Sequence, residues 1–335
     1  MVFLRKLLFP LGGFYWLITF IRNWLYDLGI FTSKSYDLPI IAIGNLSAGG
    51  TGKTPQTEYI IRLLKDTYKI AVLSRGYKRS TKGFVSANDI VSAAELGDES
   101  YQIHTKFKDI AVAVCEDRQI GIENLISNSN PDIILLDDAF QHRKVKAGFY
   151  ILLTAYDDLF SDDFILPYGN LRESAIGKKR ANIIVVTKCP QNITEKNKDK
   201  VKLKLNVSVP VFFTSIDYDT NVYSSLNSIE VSEIKTIEKV ILCGIAKPKY
   251  FIDYLNSGND KVMIYPDHHN FSEVEILELN ELSKDKIIVT TEKDFMRLNG
   301  KINGSNLFYL PIQTKFISEK EKFDSTLTSW VKKLN

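Results

Sequence analysis

The sequence predicts an α/β fold in which a mainly parallel β-sheet is flanked by helices. Short apolar runs of strand length alternate with segments of helical periodicity from Pro39 onward, and this alternation is typical of a parallel sheet covered on both faces. A second, shorter series of such runs begins near residue 215. We therefore expect a larger domain at 32–214 and a smaller α/β domain at 215–335, whose last helix can pack back on the first. The apolar residues 1–31 form a separate N-terminal segment.

The predicted elements follow from the apolar runs and their periodicity. Strands of the larger domain after the first are predicted at 70–73, 110–115, 133–136, 150–153 and 183–186, with helices at 57–65 and 118–127. The lysine-rich residues 191–206 are predicted to form a solvated surface helix. Strands of the smaller domain are predicted at 240–242, 262–265, 287–290 and 307–310, with a capped helix at 272–283.

Composition restricts the classes of partner. The chain has 335 residues and a formal net charge of +3, which gives no indication of a nucleic-acid partner. Its cysteines, Cys115, Cys189 and Cys243, are far apart and each lies in or beside an apolar run. We expect buried thiols in a reducing compartment rather than disulfides. No feature of the sequence indicates an obligate protein partner.

The N-terminal segment is rich in aromatic residues, including Trp16 and Trp24. Its uncharged run from Leu7 to Ile21 is interrupted by Pro10 and is shorter than the ~20 residues that a membrane-spanning helix needs. Basic residues flank the run on both sides. This pattern predicts a helix that lies in the membrane interface; the alternative is an ordinary amphipathic helix packed on the core.

The first predicted strand runs into a glycine-rich turn that ends in Gly52-Lys53-Thr54. A strand, a glycine-rich loop and a helix in this order are the layout of a phosphate-binding P-loop, which indicates a sheet of the P-loop NTPase type. Backbone N–H groups close around the anion, and the helix N-terminus adds partial positive charge. We expect the nucleotide to contact a continuous run of residues: Ser47, Ala48, Gly49, Gly50, Thr51, Gly52, Lys53 and Thr54.

Within this loop, Lys53 is expected to reach the outer phosphates, and the Thr54 hydroxyl to bind the Mg²⁺ that accompanies them. Ser47 stands where the motif has its first glycine, and Gly49 and Gly50 can supply the flexibility instead. A chance Gly-Lys-Thr in a loop is the alternative. It is disfavoured because strand, loop and helix follow one another in the right order.

Two carboxylates, Asp137 and Asp138, follow directly after the apolar run at 133–136. Acids at this position hold Mg²⁺ in P-loop proteins, although many strands end in acids for solubility alone. Together with the P-loop they indicate a metal site, and the sequence leaves open which of the two touches the metal. Gln141 and His142 add polar groups at the same edge of the sheet.

Several other polar residues have no decisive local signal. Arg75 could face phosphates or mark an ordinary strand exit. Asp98 is a good N-cap by residue type, and Glu173 in a first helical turn is favourable for the helix dipole alone. Asp267 and His268 suggest a carboxylate–imidazole pair rather than a zinc site. The adjacent histidines His268 and His269 lack the spacing of zinc ligands.

Taken in order, the short motifs of this chain resemble those of the tetraacyldisaccharide 4′-kinase family of lipid A biosynthesis over nearly the full length. The motifs are Gly44-Asn-Leu-Ser-Ala-Gly-Gly-Thr-Gly-Lys-Thr-Pro55, Ser74-Arg-Gly-Tyr77, Gly97-Asp-Glu99, Asp137-Asp-Ala-Phe-Gln-His-Arg143, Leu166-Pro-Tyr-Gly-Asn-Leu-Arg-Glu173, Gly244-Ile-Ala-Lys-Pro248, Asp267-His268 and Thr290-Thr-Glu-Lys-Asp294. Ala139 stands where the family usually has glycine, a change we expect to be tolerated if φ there is negative.

The resemblance implies a kinase that uses ATP and Mg²⁺ to phosphorylate the 4′-hydroxyl of an acylated glucosamine disaccharide, a tetraacyldisaccharide 1-phosphate. It implies Asp98 as the base, with His268 as its partner, and catalytic roles for Lys53 and Asp138. Further implied roles are Mg²⁺ binding by Thr54, Asp137, Asp138 and Glu173, and contact with phosphates and sugar by Arg75, Glu99, Arg118, Gln141, His142 and Arg172.

The resemblance also implies a location. A kinase of this lipid acts at the cytoplasmic face of the bacterial inner membrane, as a peripheral or monotopic protein. The N-terminal segment at 1–31 would then touch the membrane surface and help to receive the acyl chains of the substrate.

Two other functions are compatible with a P-loop. The first is a GTPase or metallochaperone, but the segment Thr187-Lys188-Cys189-Pro190 lacks the asparagine and the aspartate with which guanine is usually read. The second is a membrane-bound nucleotide-dependent regulator. This alternative explains the P-loop and the N-terminal segment but gives Asp98 and His268 no chemical task.

Overall fold

The computed structural model describes residues 9–88, 90–245, 247–267, 269–302 and 305–334. The basic residues Arg5 and Lys6 of the N-terminal segment and the expected catalytic partner His268 lie outside these ranges. Within them the strands are β1 (Ile40–Asn45), β2 (Ile70–Ser74), β3 (Val85–Ser86), β4 (Ala111–Val114), β5 (Ile133–Asp137), β6 (Phe149–Ala155), β7 (Ile183–Thr187), β8 (Val211–Tyr218), β9 (Asn221–Tyr223), β10 (Ser228–Glu230), β11 (Lys239–Cys243), β12 (Lys261–Ile264), β13 (Ile287–Thr291), β14 (Leu307–Leu310) and β15 (Ile312–Phe316).

The helices lie mainly between consecutive parallel strands. They are α1 (Phe9–Asp27), α2 (Lys53–Leu64), α3 (Ala93–Leu96), α4 (Asp98–Lys106), α5 (Arg118–Ser129), α6 (Glu195–Leu205), α7 (Val231–Ile234), α8 (Lys249–Leu255), α9 (Glu273–Asp285), α10 (Glu292–Leu298) and α11 (Lys320–Lys332). A 3₁₀-helix spans Ala175–Arg180.

The strands form two sheets. The first has nine strands in the order β15-β8-β7-β6-β1-β5-β2-β4-β3, and the second has six in the order β10-β9-β14-β13-β11-β12. In the nine-stranded sheet, all neighbouring strands between β8 and β4 in this spatial order are parallel. The two edge strands, β3 and β15, are antiparallel to their neighbours. The predicted α/β fold, with a mainly parallel sheet flanked by helices, is confirmed.

The central strands are apolar along their whole length because helices cover both faces of the sheet. Every residue of β1, β2, β5 and β7 is buried. The helix after the P-loop begins at Lys53, four residues before the predicted start at 57. Pro55 does not interrupt it, because the first turn of a helix needs no N–H from that position.

The chain passes from the first sheet to the second between β8 and β9. The expected start of the smaller domain at residue 215 falls inside β8, because that strand extends to Tyr218 to pair with β15. After β14 the chain returns to the first sheet. There α11 buries Phe323, Leu327 and Val331 in the core of the nine-stranded sheet.

The N-terminal helix α1 has two different faces. Its inner face reaches the rest of the chain through hydrogen bonds such as that from Tyr15 Oη to the carbonyl oxygen of Arg172, at 2.9 Å. The outer face exposes large apolar side chains, among them Phe14, Leu17, Ile18 and Trp24. Neither α1 nor any other helix of the described ranges is both long and apolar enough to span a bilayer.

Candidate active site

Several polar residues singled out in the sequence gather at the carboxyl ends of β1, β2 and β5, which are neighbouring parallel strands of the nine-stranded sheet. In open parallel sheets the carboxyl ends of the strands are where ligands bind. The P-loop leaves β1 there, the acidic pair closes β5, and Arg75 follows β2 as an exposed residue.

The P-loop has the geometry that its glycines predict. Gly49 has φ of 127° and Gly52 has φ of 81°, which are backbone conformations that residues with a Cβ rarely adopt. Inside the turn, Asn45 Nδ2 donates to Thr51 Oγ1 at 2.8 Å. Gly52 has no side chain to cap α2, so N–H groups of the first helical turn are directed toward a ligand.

Asp138 lies between two cations beside the P-loop. Lys53 Nζ is 3.7 Å from Asp138 Oδ1, and Arg172 donates to both carboxylate oxygens at 2.8 and 3.1 Å. Burial alone would raise the pKa of Asp138, but the hydrogen bonds of Arg172 and the charge of Lys53 lower it. The group is therefore ionised and still partly accessible, with 34% of its side chain exposed.

The backbone bends sharply at the same residue. Asp138 has φ of 47°, whereas Ala139 is not among the residues with positive φ. The left-handed conformation is strained for an aspartate, and such strain is concentrated at functional sites. Because Ala139 itself has an ordinary φ, the departure from the family's usual glycine is tolerated here.

Asp137, the last residue of β5, is buried against the P-loop helix. Thr57 Oγ1 donates to its Oδ1 at 3.4 Å. Burial, together with the neighbouring charges of Glu99 and Asp138, raises the pKa of Asp137 to about 7. Three carboxylates thus share a small region of low dielectric, and a divalent cation would relieve their repulsion.

These residues fit a magnesium site of the kind that nucleotides bring with them. Thr54 lies in the first turn of α2, and Thr57 of the same helix donates to Asp137 at the end of β5. Across the described ranges, no group of three or more His, Cys, Asp and Glu residues could hold a metal ion. Mg²⁺ needs no such cage, because it keeps waters and is held by one or two carboxylates plus phosphate oxygens.

Glu173 is fully buried and its two oxygens have protein partners. Arg180 Nη2 donates to Oε1 at 2.7 Å, and Gln141 Nε2 donates to the same oxygen at 3.0 Å. Asn23 of the N-terminal helix donates to Oε2 at 2.6 Å. The structure thus joins Glu173 to α1, and its expected role as a metal ligand stays a prediction.

Arg118 and His142 lie beneath the site. The Arg118 guanidinium is almost completely buried and donates to the carbonyl oxygens of Cys115 at 2.5 Å and Asp137 at 3.1 Å. Burial and the charge of Arg118 lower the pKa of His142 to about 4. Arg118 therefore connects the ends of β4 and β5 and adds positive charge near Asp137 and Asp138. The expected contact of Arg118 and His142 with phosphates and sugar stays a prediction.

Asp98 and Glu99 begin α4 and face a helix of the second sheet. Arg297 on α10 contacts Asp98 Oδ2 through both Nε, at 3.0 Å, and Nη2. One turn earlier, Lys293 Nζ donates to Glu99 Oε1 at 2.7 Å. Burial would lower the pKa of Lys293, but Glu99, Asp267 and Asp98 raise it. Asp267, the neighbour of His268, thus acts on the same cluster of charges.

Several residues of this site have no separate signal in the sequence. Lys293 lies in the quoted motif that ends in Asp294, but nothing local identifies its partner Glu99. Arg297 and Arg180 are ordinary helical cations in the sequence, and only the fold brings them to Asp98 and Glu173.

The comparisons with known proteins agree with this site. The sequence model of the family tetraacyldisaccharide-1-P 4′-kinase matches residues 4–332. A tetraacyldisaccharide 4′-kinase of Flavobacterium psychrophilum is 56% identical over 99% of this chain and 98% of its own length. An enzyme of the same name from Bacteroides thetaiotaomicron is 40% identical over 98% of this chain and 94% of its own length.

A solved structure is similar over the whole fold. The crystal structure of LpxK from Aquifex aeolicus, determined in complex with ATP, has a TM-score of 0.82 and 30% sequence identity. The match covers 98% of this chain and 99% of that one. These matches confirm the predicted enzyme class, a kinase, over the GTPase or metallochaperone and the regulator. The chain belongs to the tetraacyldisaccharide-1-P 4′-kinase family.

Proposed function

We propose that this protein transfers the γ-phosphate of ATP to the 4′-hydroxyl of a tetraacyldisaccharide 1-phosphate in lipid A biosynthesis. The observation that supports it most is the cluster of Lys53, Asp138 and Arg172 beside the P-loop. It presents two cations and an ionised carboxylate at the phosphate-binding edge of the sheet. Phosphoryl transfer requires chiefly such positioning and charge neutralisation.

Each residue of the cluster has a defined task in the reaction. Lys53 and the N–H groups at the start of α2 bind and orient the phosphates. Thr54 and Asp138 would hold Mg²⁺, with Asp137 beside them and Glu173 as a further candidate. When bound, Mg²⁺ neutralises charge that develops on the phosphate oxygens. Arg172 keeps Asp138 ionised and in place.

Asp98 is the proposed base for the attacking hydroxyl. The helix of Asp98 lies near both the P-loop and the second sheet, because the neighbouring carboxylate of Glu99 interacts with charged residues of both. Burial would raise the pKa of Glu99, but Lys293 and Lys53 lower it against the repulsion of Asp138. A positioned carboxylate that accepts the hydroxyl proton contributes ~10²–10⁴-fold to the rate, and His268 is its proposed partner.

The acceptor is proposed to arrive along α1. The outer face of this helix exposes Phe14, Leu17, Ile18 and Trp24, a surface suited to acyl chains and to the interface of a membrane. Its inner face bonds to Glu173 and to the backbone of Arg172. One helix therefore connects an exposed apolar surface with the phosphate site, which supports a location at a membrane surface. The proposed location is the cytoplasmic face of the inner membrane, where ATP is present.

The test is transfer of labelled γ-phosphate from ATP to a purified acylated glucosamine disaccharide. We expect label in the lipid, dependence on Mg²⁺ and preference for ATP over GTP. Asp98→Ala should retain ATP binding and lose transfer, whereas Asp109→Ala, at an exposed ion pair with Lys65, should retain both. Absence of labelled lipid with the unmodified protein, or full transfer by Asp98→Ala, would contradict the proposal.

A further inference from the structure

The end of β7 lies directly against the P-loop. Thr187 Oγ1 donates to the carbonyl oxygen of Thr51 at 2.8 Å, and Lys188 Nζ donates to the carbonyl oxygen of Gly50 at 2.5 Å. Two consecutive residues, the last of β7 and the one that follows it, thus hold two consecutive carbonyl groups of the phosphate-binding turn. By sequence alone, this segment indicates only that guanine is not recognised.

The consequence for the loop follows from the planarity of the peptide bond. In a trans peptide the C=O and the following N–H point in opposite directions. Because Thr187 holds the carbonyl of Thr51, the N–H of Gly52 is directed away from Thr187, at the residue that caps α2. A carbonyl oxygen turned toward the ligand would instead repel a phosphate.

The second carbonyl is held within the tightest part of the turn. The N–H of Thr51 donates to the carbonyl oxygen of Gly49 at 3.1 Å, a three-residue γ-turn with Gly50 at its centre. The C=O of Gly50 and the N–H of Thr51 belong to the same peptide group and point in opposite directions. Lys188 Nζ donates to this carbonyl oxygen. The lysine therefore favours the folded form of the loop over forms in which this peptide turns around.

The positions of both side chains are themselves well determined. Thr187 is buried, and a Cβ added at Gly52 would meet its Cβ at 3.6 Å and its hydroxyl at 3.7 Å. Lys188 has φ of 57°, a left-handed conformation that costs a lysine energy unless its surroundings impose it.

The charges around Lys188 favour an anion. Burial and the positive charges of Lys247, Lys293 and Lys53 lower the pKa of Lys188, and Asp158 opposes them. Cations from both sheets therefore face the loop that Lys188 holds. Phosphate groups bound in the loop would reduce their mutual repulsion.

We propose that Thr187 and Lys188 are positioning residues for nucleotide binding, which act by holding the carbonyls of Thr51 and Gly50 away from the phosphates. The proposal rests on the proposed use of ATP and is independent of the acceptor. Since the P-loop cradles the inner phosphates, the two residues contribute to ADP and ATP binding alike. They contribute little to the chemical step, which depends on other groups.

The experiment measures equilibrium binding of ATP and ADP to the purified full chain without acceptor, and KM for ATP and kcat separately. Lys188→Ala should weaken binding of both nucleotides about tenfold, the equivalent of one hydrogen bond to a charged group. Its kcat at saturating ATP should change less than threefold. Lys188→Arg should recover most of the affinity, because it keeps a charged donor.

Two further variants separate this role from a general effect on folding. Thr187→Val, which removes the hydroxyl and keeps the shape, should weaken both nucleotides, and Thr187→Ser should bind them normally. Lys204→Ala, on α6 at the exposed ion pair with Asp162, is the matched control.

Failure of the unmodified protein to bind ATP would overturn the proposed function itself. If the unmodified protein binds ATP and both Lys188→Ala and Thr187→Val bind it equally well, only the positioning proposal is overturned. A loss of affinity for ATP but not for ADP in Lys188→Ala would also overturn it, because that result requires direct contact with the γ-phosphate.

Discussion

The guanidinium of Arg297 lies against the carboxylate of Asp98, with Nε and Nη2 both directed at Oδ2. The two residues are 199 positions apart in the chain and belong to helices on different sheets. A third contact, from Arg297 Nη1 to Asp294 Oδ1 at 3.3 Å, holds the arginine in place. The proposed base is therefore oriented by a cation from the part of the molecule that also carries Asp267.

Replacing this arginine should slow the chemical step. We expect Arg297→Ala to lower phosphoryl transfer by ~10- to 100-fold, since small misplacement of a catalytic group has effects of this size. Arg297→Lys keeps the charge but loses the planar fork, so its rate should be intermediate. The measurement is kcat for transfer at saturating substrates, together with equilibrium ATP binding, which should not change.

A control separates orientation from stability. Lys315→Ala removes an exposed ion pair with Asp217 and should leave both quantities unchanged. Thermal unfolding of Arg297→Ala shows whether the contact with Asp294 matters for folding. Full transfer activity in a folded Arg297→Ala protein would show that Asp98 needs no such partner.

Removal of either charge beside the P-loop should be severe. Lys53→Ala and Asp138→Ala are each expected to reduce transfer by ~10²-fold or more. The first removes a positive charge beside the transferred phosphate, and the second removes a proposed ligand of the Mg²⁺ that would neutralise it. Lys65→Ala, at the other end of the P-loop helix, is the control for loss of a lysine. Near-normal turnover in Lys53→Ala or Asp138→Ala would refute the assignment of the site.

The two faces of α1 should have separable functions. Substitution of Phe14, Ile18 and Trp24 by Ser should weaken binding to vesicles that contain anionic phospholipid and raise KM for the acylated acceptor. ATP binding should be unaffected. Each buried apolar side chain contributes about 1.5–3 kcal/mol to such an interaction, so the triple variant should lose binding almost completely. Undiminished vesicle binding would contradict the interfacial role.

Two controls accompany this triple variant. Leu203→Ser alters an even more exposed apolar residue on α6 and should have no effect on vesicle binding. Asn23→Ala alters the inner face, where the amide bonds to Glu173, and should lower transfer without loss of vesicle binding. Deletion of α1 is less informative, since it removes both faces at once.

A buried ion triad connects the P-loop helix, the base helix and the second sheet. Lys106 Nζ lies 2.7 Å from Glu58 Oε2 and 3.0 Å from Glu292 Oε1. Lys106→Met would leave the buried carboxylate of Glu292 without this cation and Glu58 with Arg62, at 3.0 Å, and breaking a buried ion pair costs about 3–5 kcal/mol of unfolding free energy. Denaturant unfolding measures this quantity.

The triad also has a matched surface control. Lys65→Met removes the same charge from the exposed pair with Asp109 and should change stability little. Adding Glu58→Gln to Lys106→Met should recover part of the loss. Equal stability of Lys106→Met and Lys65→Met would show that the buried triad contributes no more than a surface pair.

The neutral state of His142 should make folding depend on pH. Its pKa is lowered to about 4 by burial and by Arg118, from a usual value of 6.5. The unfolded chain therefore binds a proton that the folded protein excludes, and stability should be lost as pH falls from about 6.5 toward 4. Thermal unfolding at pH 7 and pH 5 should show a smaller decrease for His142→Gln than for the unmodified protein. An equal decrease would contradict this origin.

The parts of the site that the sequence predicted are local in the chain. The P-loop is recognisable because one short segment supplies a strand, a turn and a helix N-terminus, and its glycines have the backbone that such a turn requires. The acidic end of β5 is recognisable for the same reason. The α/β fold followed from the alternation of apolar strands with helices.

The parts that were not predicted depend on contacts between distant segments. The antiparallel pairing of β8 with β15 places the last strand of the chain in the first sheet. Lys106 contacts Glu292 across 186 positions. A surface lysine and a lysine of a buried triad look alike in sequence, because neither the residue type nor its neighbours reveal what will pack against it.

The pair Asp137 and Asp138 shows the division most clearly. The sequence by itself determined that two acids end a buried strand beside a P-loop, and the order of its motifs determined the family. Only the tertiary structure decided what each acid faces. Asp137 is the last residue of β5 and is buried at 1% exposure, whereas Asp138 follows the strand with a positive φ and turns toward Lys53 and Arg172. The same physical reason holds throughout the site: the sequence specifies which charges exist, and the packing of two sheets specifies their partners.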